Sequence, residues 1–284
     1  MIPGPSPART AELRVAAERA ARAAAPALLA AFRSDMAVAT KRDAHDVVTE
    51  HDRRAEGVIS EVLVGLEPGS AVLGEEGGST DGGRLRWIVD PIDGTANFAR
   101  GLAYWCISIA AELDGEVVAG VVLDPVADHL FAADAEGAWL DGVPLRSASL
   151  PDEQATLLTS FPVQHDVDLL GDAAFDLLRG VTERYRHHHS LGSGALNLVH
   201  VAAGWSDATT GFDTAPWDVA AGALVLERAG GWFRGFRAGE AVLPSHLAPD
   251  YVASGRGGAH EWLVEQVRAG SARIADEART ARPA

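Results

Sequence analysis

The chain of 284 residues holds a single cysteine, Cys106, so it can form neither an intrachain disulfide nor a Cys-based zinc site. Positive charge is scarce as well: 24 Lys and Arg stand against 40 Asp and Glu, a formal charge of −16. General nucleic-acid binding and docking on an anionic membrane both rely on basic patches, and this balance argues against both. Long apolar runs are missing too. No stretch approaches the roughly 18 uncharged apolar residues of a membrane span. Arg9, Glu12, Arg14, Glu18, Arg19 and Arg22 interrupt the N-terminal segment in a way that a secretory leader does not tolerate. A soluble protein of a reducing compartment, cytoplasmic by default, is expected. An anionic substrate would then need a local reversal of sign.

What is present suits a large globular core: 47% of the residues are hydrophobic. The length allows one large domain or two packed halves. The pattern divides softly near residues 148–153, giving halves at 8–150 and 151–268, with the Pro- and Gly-rich stretch 1–7 and the polar stretch 269–284 as flexible ends. An Ala-rich helix is expected over 8–33, kinked or restarted at Pro26, and a second over 46–66. Ala71-Val72-Leu73 and Trp87-Ile88-Val89 read as buried strands. Strands at 117–123 and 130–133 form a meander whose turns are marked by Asp114-Gly115 and Asp141-Gly142. Alternation then returns: a strand at 156–160, helices at 168–179, 193–203 and 217–228, a strand at 251–253 and a helix at 259–268. The chain is mixed α/β.

Four segments carry candidate chemistry. In Trp87-Ile88-Val89-Asp90-Pro91-Ile92-Asp93-Gly94-Thr95 a buried strand ends in a carboxylate, Pro91 stops its regular continuation, and a second carboxylate follows three residues on. Two carboxylates at one strand end suit a hard cation such as Mg²⁺, and the Gly94 and Thr95 N–H groups suit an anion at a helix start. A turn with two acidic caps is the plain structural alternative. Leu73-Gly74-Glu75-Glu76-Gly77-Gly78 places acids directly after a strand, which fits a solvated loop or a bridging cation. In Pro216-Trp217-Asp218 the carboxylate is either an N-cap or a ligand. After Lys41, the residues Asp46, Thr49 and Asp52 share a helix face, and a buried Asp52 would need a partner such as a catalytic Thr hydroxyl. The contiguous His187-His188-His189 points to both faces of a strand and is a poor shared-metal site. Cys106 reads as a small buried hydrophobe.

Together these segments resemble the inositol monophosphatase family of the lithium-sensitive, Mg²⁺-dependent phosphatases. The resemblance rests on residues 46–52, Gly74-Glu75-Glu76, Asp90 through Phe98 and Trp217 through Gly222, in matching order and spacing over roughly residues 10–268. It implies a layered αβαβα sandwich, an α/β (α+β) fold of the inositol monophosphatase and fructose-1,6-bisphosphatase type, usually dimeric. It implies two or three Mg²⁺ ions. Glu75, Asp90 and the carbonyl of Ile92 would hold the first, and Asp90, Asp93 and Asp218 the second. Thr95, bonded to Asp52 and assisted by Glu75, would orient or deprotonate the attacking water. Gly94 and Thr95 would bind the phosphate, and Gly192-Ser193-Gly194-Ala195 matches the substrate-side loop. Inositol-selective members place a Glu six residues before the Trp of the WD motif; Gly211 stands there in this chain, and Asp213 is the nearest acid.

The expected activity is metal-assisted hydrolysis of a small phosphorylated metabolite, with inositol monophosphate leading. Histidinol phosphate and fructose 1,6-bisphosphate are alternatives within the same chemistry. A non-catalytic regulatory or binding protein on the same fold is the alternative from another class. Metals would also answer the problem of sign, since acids that hold Mg²⁺ turn a positive face to a phosphate.

Overall fold

The computed structural model describes residues 4–35, 38–40, 47–80 and 82–280. The first half contains α1 (Pro7–Ala31), β1 (Val38–Thr40), β2 (Val47–Thr49), α2 (Glu50–Leu66), β3 (Ala71–Gly74), β4 (Gly78–Ser79), β5 (Leu85–Asp93) and α3 (Thr95–Arg100). It continues through β6 (Cys106–Leu113), β7 (Glu116–Asp124), β8 (His129–Asp134), β9 (Gly137–Leu140) and β10 (Val143–Pro144). The second half comprises β11 (Thr156–Thr159), α4 (Gln164–Leu170), α5 (Asp172–Arg184), β12 (His187–Ser190), α6 (Gly194–Ala202) and β13 (Ala208–Gly211). It ends with α7 (Pro216–Arg228), β14 (Trp232–Arg237), β15 (Glu240–Ala241), β16 (Asp250–Ser254) and α8 (Glu261–Thr280).

The first large sheet has the order β10-β9-β8-β7-β6-β5-β3-β4, antiparallel except for the parallel pair β3 and β5. The second has the order β12-β11-β13-β16-β14-β15, with β11 parallel to both its neighbours. Period-two alternation gives each strand two faces. Ile107, Ile109 and Ala111 of β6 pack with α1 and α2, whereas Cys106 and Ala110 pack with α6 and α7. The far side of α6 and α7 meets Phe233, Tyr251 and Ala253 of the second sheet. That sheet's other face, with Leu157, Ala208 and Val252, is covered by α4, α5 and α8. Three apolar clusters fill the four interfaces between five layers, the middle one covering both sides of α6 and α7, and the αβαβα sandwich expected from the sequence is present. The expected hairpin turns are there too, with φ +55° at Asp114 and +51° at Asp141.

Four local expectations are corrected. The second helix begins at Glu50 and not at 46, because residues 47–49 pair as a strand with 38–40 and Thr49 caps the helix. Asp46 and Lys41 lie outside the described residues. The helix expected at 168–179 is two helices broken at Gly171, whose φ is +57°. Helix α1 runs through Pro26 to Ala31 without a restart. The stretch from Ala269, expected to be flexible, is helical to Thr280. Its packing explains why: Ser271 is buried and accepts the Gly239 N–H at 3.2 Å, and Gly270 closes on Phe212.

Candidate active site

Strand β5 alternates as a buried strand should. Trp87 and Val89 face α1 and α2, and Ile88 faces the central helices, so Asp90 follows Ile88 onto the central face. The pairing with β6 then shifts register between Asp90 and Asp93. Pro91 sits inside this irregularity, where its missing N–H costs the ladder nothing. The shift brings Asp93 opposite Cys106, a residue of the central core, while Ile92 packs into the outer one. Two carboxylates three residues apart thereby reach the same layer, although strict alternation would have sent them to opposite faces.

Asp218 arrives from the central layer itself. It is the third residue of α7, not its N-cap, and its Oδ2 accepts the Ala215 N–H at 2.7 Å. One oxygen each from Asp90, Asp93 and Asp218 lies within 4.8 Å of the other two. Asp90 is 2% exposed and Asp93 7%. Burial, then the charges of Glu75, Asp93 and Asp218, push the Asp90 carboxyl well above its ordinary range. Burial pushes Asp93 up as well, opposed by its hydrogen bonds to Ser193, Ala195 and Gly194. The leading contributions to both balances are burial, neighbouring carboxylates and hydrogen-bond donors. Carboxylate oxygens held this close together, two of the three residues buried, fit a hard divalent cation such as Mg²⁺.

Glu75 follows β3, and its N–H donates to the Val89 carbonyl at 3.3 Å, which ties the loop to β5. Its carboxylate is not one of the three within 4.8 Å, although its charge acts on Asp90. A residue that the sequence reading missed holds this loop. Glu56 is buried and accepts the Glu76 N–H at 2.8 Å and the Gly77 N–H at 2.7 Å. The signal was available: Glu56 stands among Asp52, Ile59 and Leu63 on the buried stripe of α2, where a carboxylate needs donors.

Asp52, fully buried, closes a capping box at the start of α2. Its Oδ2 accepts the Thr49 N–H at 2.8 Å and the Thr49 hydroxyl at 2.7 Å. Its Oδ1 lies 3.0 Å from the Thr95 hydroxyl, which is also 2.9 Å from the Ile92 carbonyl. A hydroxyl has one proton for these two acceptors, and its lone pairs can accept from a water. Gly94 precedes Thr95 with φ +94°, and a Cβ there would stand 2.9 Å from the Tyr104 carbonyl oxygen. Only glycine suits that conformation and that space.

The Gly192–Ala195 loop meets Asp93 directly. The Ser193 hydroxyl donates to its Oδ2 at 2.5 Å and the Ala195 N–H at 2.7 Å, while the Gly194 N–H reaches its Oδ1 at 3.3 Å. Gly192 and Gly194 also line a cavity of about 410 Å³ that opens beside Asp93 and Asp218. Its lining also includes Gly211, Thr214, Tyr251 and a pair that the sequence did not single out, His165 Nε2 to Asp213 Oδ2 at 2.7 Å. A Cβ on Gly211 would stand 2.8 Å from the Tyr251 ring and 3.0 Å from the Thr214 methyl. Tyr251 thus fills the space that a side chain at position 211 would need. His187 to His189 form an edge strand and take no part in the acid cluster. Cys106 is fully buried, with Sγ 3.7 Å from Asp93 Oδ2.

The model of the inositol monophosphatase family matches residues 9–272. The chain belongs to that family. It is 38% identical over 221 residues to the Nus factor SuhB of Pseudomonas aeruginosa, covering 75% of this chain and 81% of that one. It is 40% identical over 195 residues to the inositol-1-monophosphatase of Rhizobium meliloti, covering 66% and 71%. Among solved structures, the Thermotoga maritima IMPase superposes with a TM-score of 0.78 at 30% identity, over 90% of this chain and 96% of that one. Family membership is consistent with the converged carboxylates. Among the described residues, no helix is long and apolar enough to cross a membrane.

Proposed function

We propose that the chain is a Mg²⁺-dependent phosphomonoesterase that hydrolyses a small polyol or sugar phosphate. The observation that carries this reading is the convergence of Asp90, Asp93 and Asp218 from two distant segments, beside a cavity lined by polar groups. Asp90, Asp93 and Asp218, with Glu75 and the Ile92 carbonyl, would hold the cations. Bound there, Mg²⁺ supplies positive charge for the phosphoryl group and acidifies water. The residues of the chain do the rest. The Thr95 hydroxyl orients the attacking water and, assisted by Glu75, takes its proton while passing its own to the Asp52 carboxylate. The N–H groups of Gly94 and Thr95 bind the phosphate oxygens. Ser193, Gly194 and Ala195 fix the Asp93 carboxylate. Water attacks phosphorus directly, so no residue of this set is needed as a covalent nucleophile.

For the leaving group, the cavity volume of about 410 Å³ suits a small molecule. Its wall includes Ser160 and the His165–Asp213 pair, while the Thr210 and Thr214 hydroxyls donate to the Tyr251 and Pro249 carbonyls. Ser160 and that pair suit a polyol, and we assign Asp213 the contact with ring or chain hydroxyls that Gly211 cannot make. Inositol monophosphate remains the first substrate to try, because the Rhizobium meliloti relative carries that activity in its name. Phosphate release should be measured with Mg²⁺ across inositol phosphates, histidinol phosphate, fructose 1,6-bisphosphate and 3′-phosphoadenosine nucleotides. Release from at least one ester that stops on removal of Mg²⁺ supports the proposal.

A second reading draws on the relatives named Nus factor. In it the chain is a regulatory factor on the same fold, without catalysis. The full set of carboxylate positions favours the enzyme, because a purely regulatory surface has no need for buried acids that repel one another. Absence of metal-dependent release from every ester would favour the second reading.

A further inference from the structure

With 40 acids for 24 bases, the chain pairs many of its arginines locally. Arg9 meets Glu67, Arg14 meets Asp134 and Arg86 meets Glu112. Arg146, Arg228 and Arg256 break that pattern. They line one cavity of about 340 Å³, formed by the β9–β10 hairpin, the end of α7 and the loop after β16. None of the three forms an ion pair within 4.0 Å among the described residues, and Glu136 is the lone acid on the cavity wall. The helix dipole favours a cation in the last turn of α7 and so accounts for Arg228 alone. At Arg256 the fold uses only the backbone, whose N–H donates to Ser147 Oγ and whose carbonyl accepts the Ser149 N–H. Among the described residues, neither that guanidinium nor that of Arg146 forms a hydrogen bond or an ion pair. Three like charges in one concavity repel one another unless an anion joins them.

We propose that this cavity binds a small anion carrying two or more phosphate charges, at a site separate from the acid cluster. Guanidinium forks match phosphate oxygens in bidentate geometry, and the volume lies within the range of small-molecule pockets. The separation follows from α7 itself. Asp218 lies in its first turn and Arg228 in its last, about 15 Å apart at the rise of an α-helix.

The test is calorimetric titration of the full chain in EDTA with pyrophosphate and ATP as probes. Without divalent cations the acid cluster repels anions, so any saturable heat reports the arginine cavity. Pyrophosphate is expected to bind with a Kd on the order of 100 µM or tighter at low salt. The exposed pair Arg146→Gln and Arg256→Gln should weaken binding at least about tenfold with an unchanged circular dichroism spectrum, while Asp90→Asn leaves it intact. Absence of saturable binding, or equal affinity in the paired variant, overturns the proposal. Binding of a single-stranded RNA without binding of pyrophosphate overturns it too, because the occupant would then be a polymer.

Discussion

The Thr95 hydroxyl lies 3.0 Å from Asp52 Oδ1, across 43 positions of sequence. The other oxygen of Asp52 is held by both the N–H and the hydroxyl of Thr49. The carboxylate is therefore fixed in place before any substrate arrives, and Thr95 has a defined acceptor. Thr95→Ala should lower kcat about a hundredfold or more with little change in KM. Asp52→Asn should lower kcat in the same sense while also weakening the start of α2. Steady-state kinetics with circular dichroism separates the two effects. Unchanged kcat in Thr95→Ala would remove Thr95 from the water-handling role.

Asp90, Asp93 and Asp218 repel one another in a buried site. Asp90→Asn should therefore raise Tm in EDTA, by about 2–4 °C for each kcal/mol of repulsion relieved, and should abolish the rise in Tm that Mg²⁺ gives the unmodified chain. A fall in Tm in EDTA would mean that something other than a cation balances these carboxylates.

Much of this site was legible in the sequence, and the reasons are local. A strand that ends in Asp-Pro-Ile-Asp, with Gly and Thr behind it, announces clustered carboxylates, and a buried Asp52 announces the need for a partner. What was not legible depends on tertiary geometry. Period-two alternation would separate Asp90 from Asp93, and only the register shift against β6 reunites them. The His165–Asp213 pair joins α4 to the loop after β13, 48 positions apart, with no motif at either end. The start of α2 was misplaced because strand pairing of residues 47–49 overrides a helical face that their spacing would allow. The layered fold itself followed from the family resemblance more than from the periodicity of any one element.

The cavity lining at Gly211 and Asp213 predicts a division between stability and specificity. Gly211→Ala should cost about 1–3 kcal/mol of stability, since its Cβ meets the buried Tyr251 ring. Asp213→Asn should instead leave Tm nearly unchanged and raise KM for a polyol phosphate about tenfold, with kcat held. Denaturant melts and kinetics on the same preparations measure both. An unaltered KM would exclude Asp213 from substrate contact.

His200 offers a test of pH dependence. It packs against Trp205 with ring centroids 4.9 Å apart and the rings tilted by 59°, and burial, aided by the charge of His129, lowers its pKa from 6.5 to about 4. The folded chain then binds fewer protons at this site than the unfolded chain between about pH 4 and 6.5. The contribution of His200 is present above pH 6.5 and is lost as pH falls toward 4, to about 3 kcal/mol at most. His200→Phe should flatten the acid side of the stability profile in urea melts. An equally steep profile in the variant would show that other groups carry the acid sensitivity.

The central claim is that the converged carboxylates make a catalytic metal site. The most direct test is phosphate release as a function of Mg²⁺ for the unmodified chain and for Asp90→Asn, on whichever ester the substrate panel selects. The account predicts saturable activation by Mg²⁺ in the unmodified chain and no release above background in Asp90→Asn, with both proteins folded. Equal turnover by the two, or turnover that persists in EDTA, would contradict it.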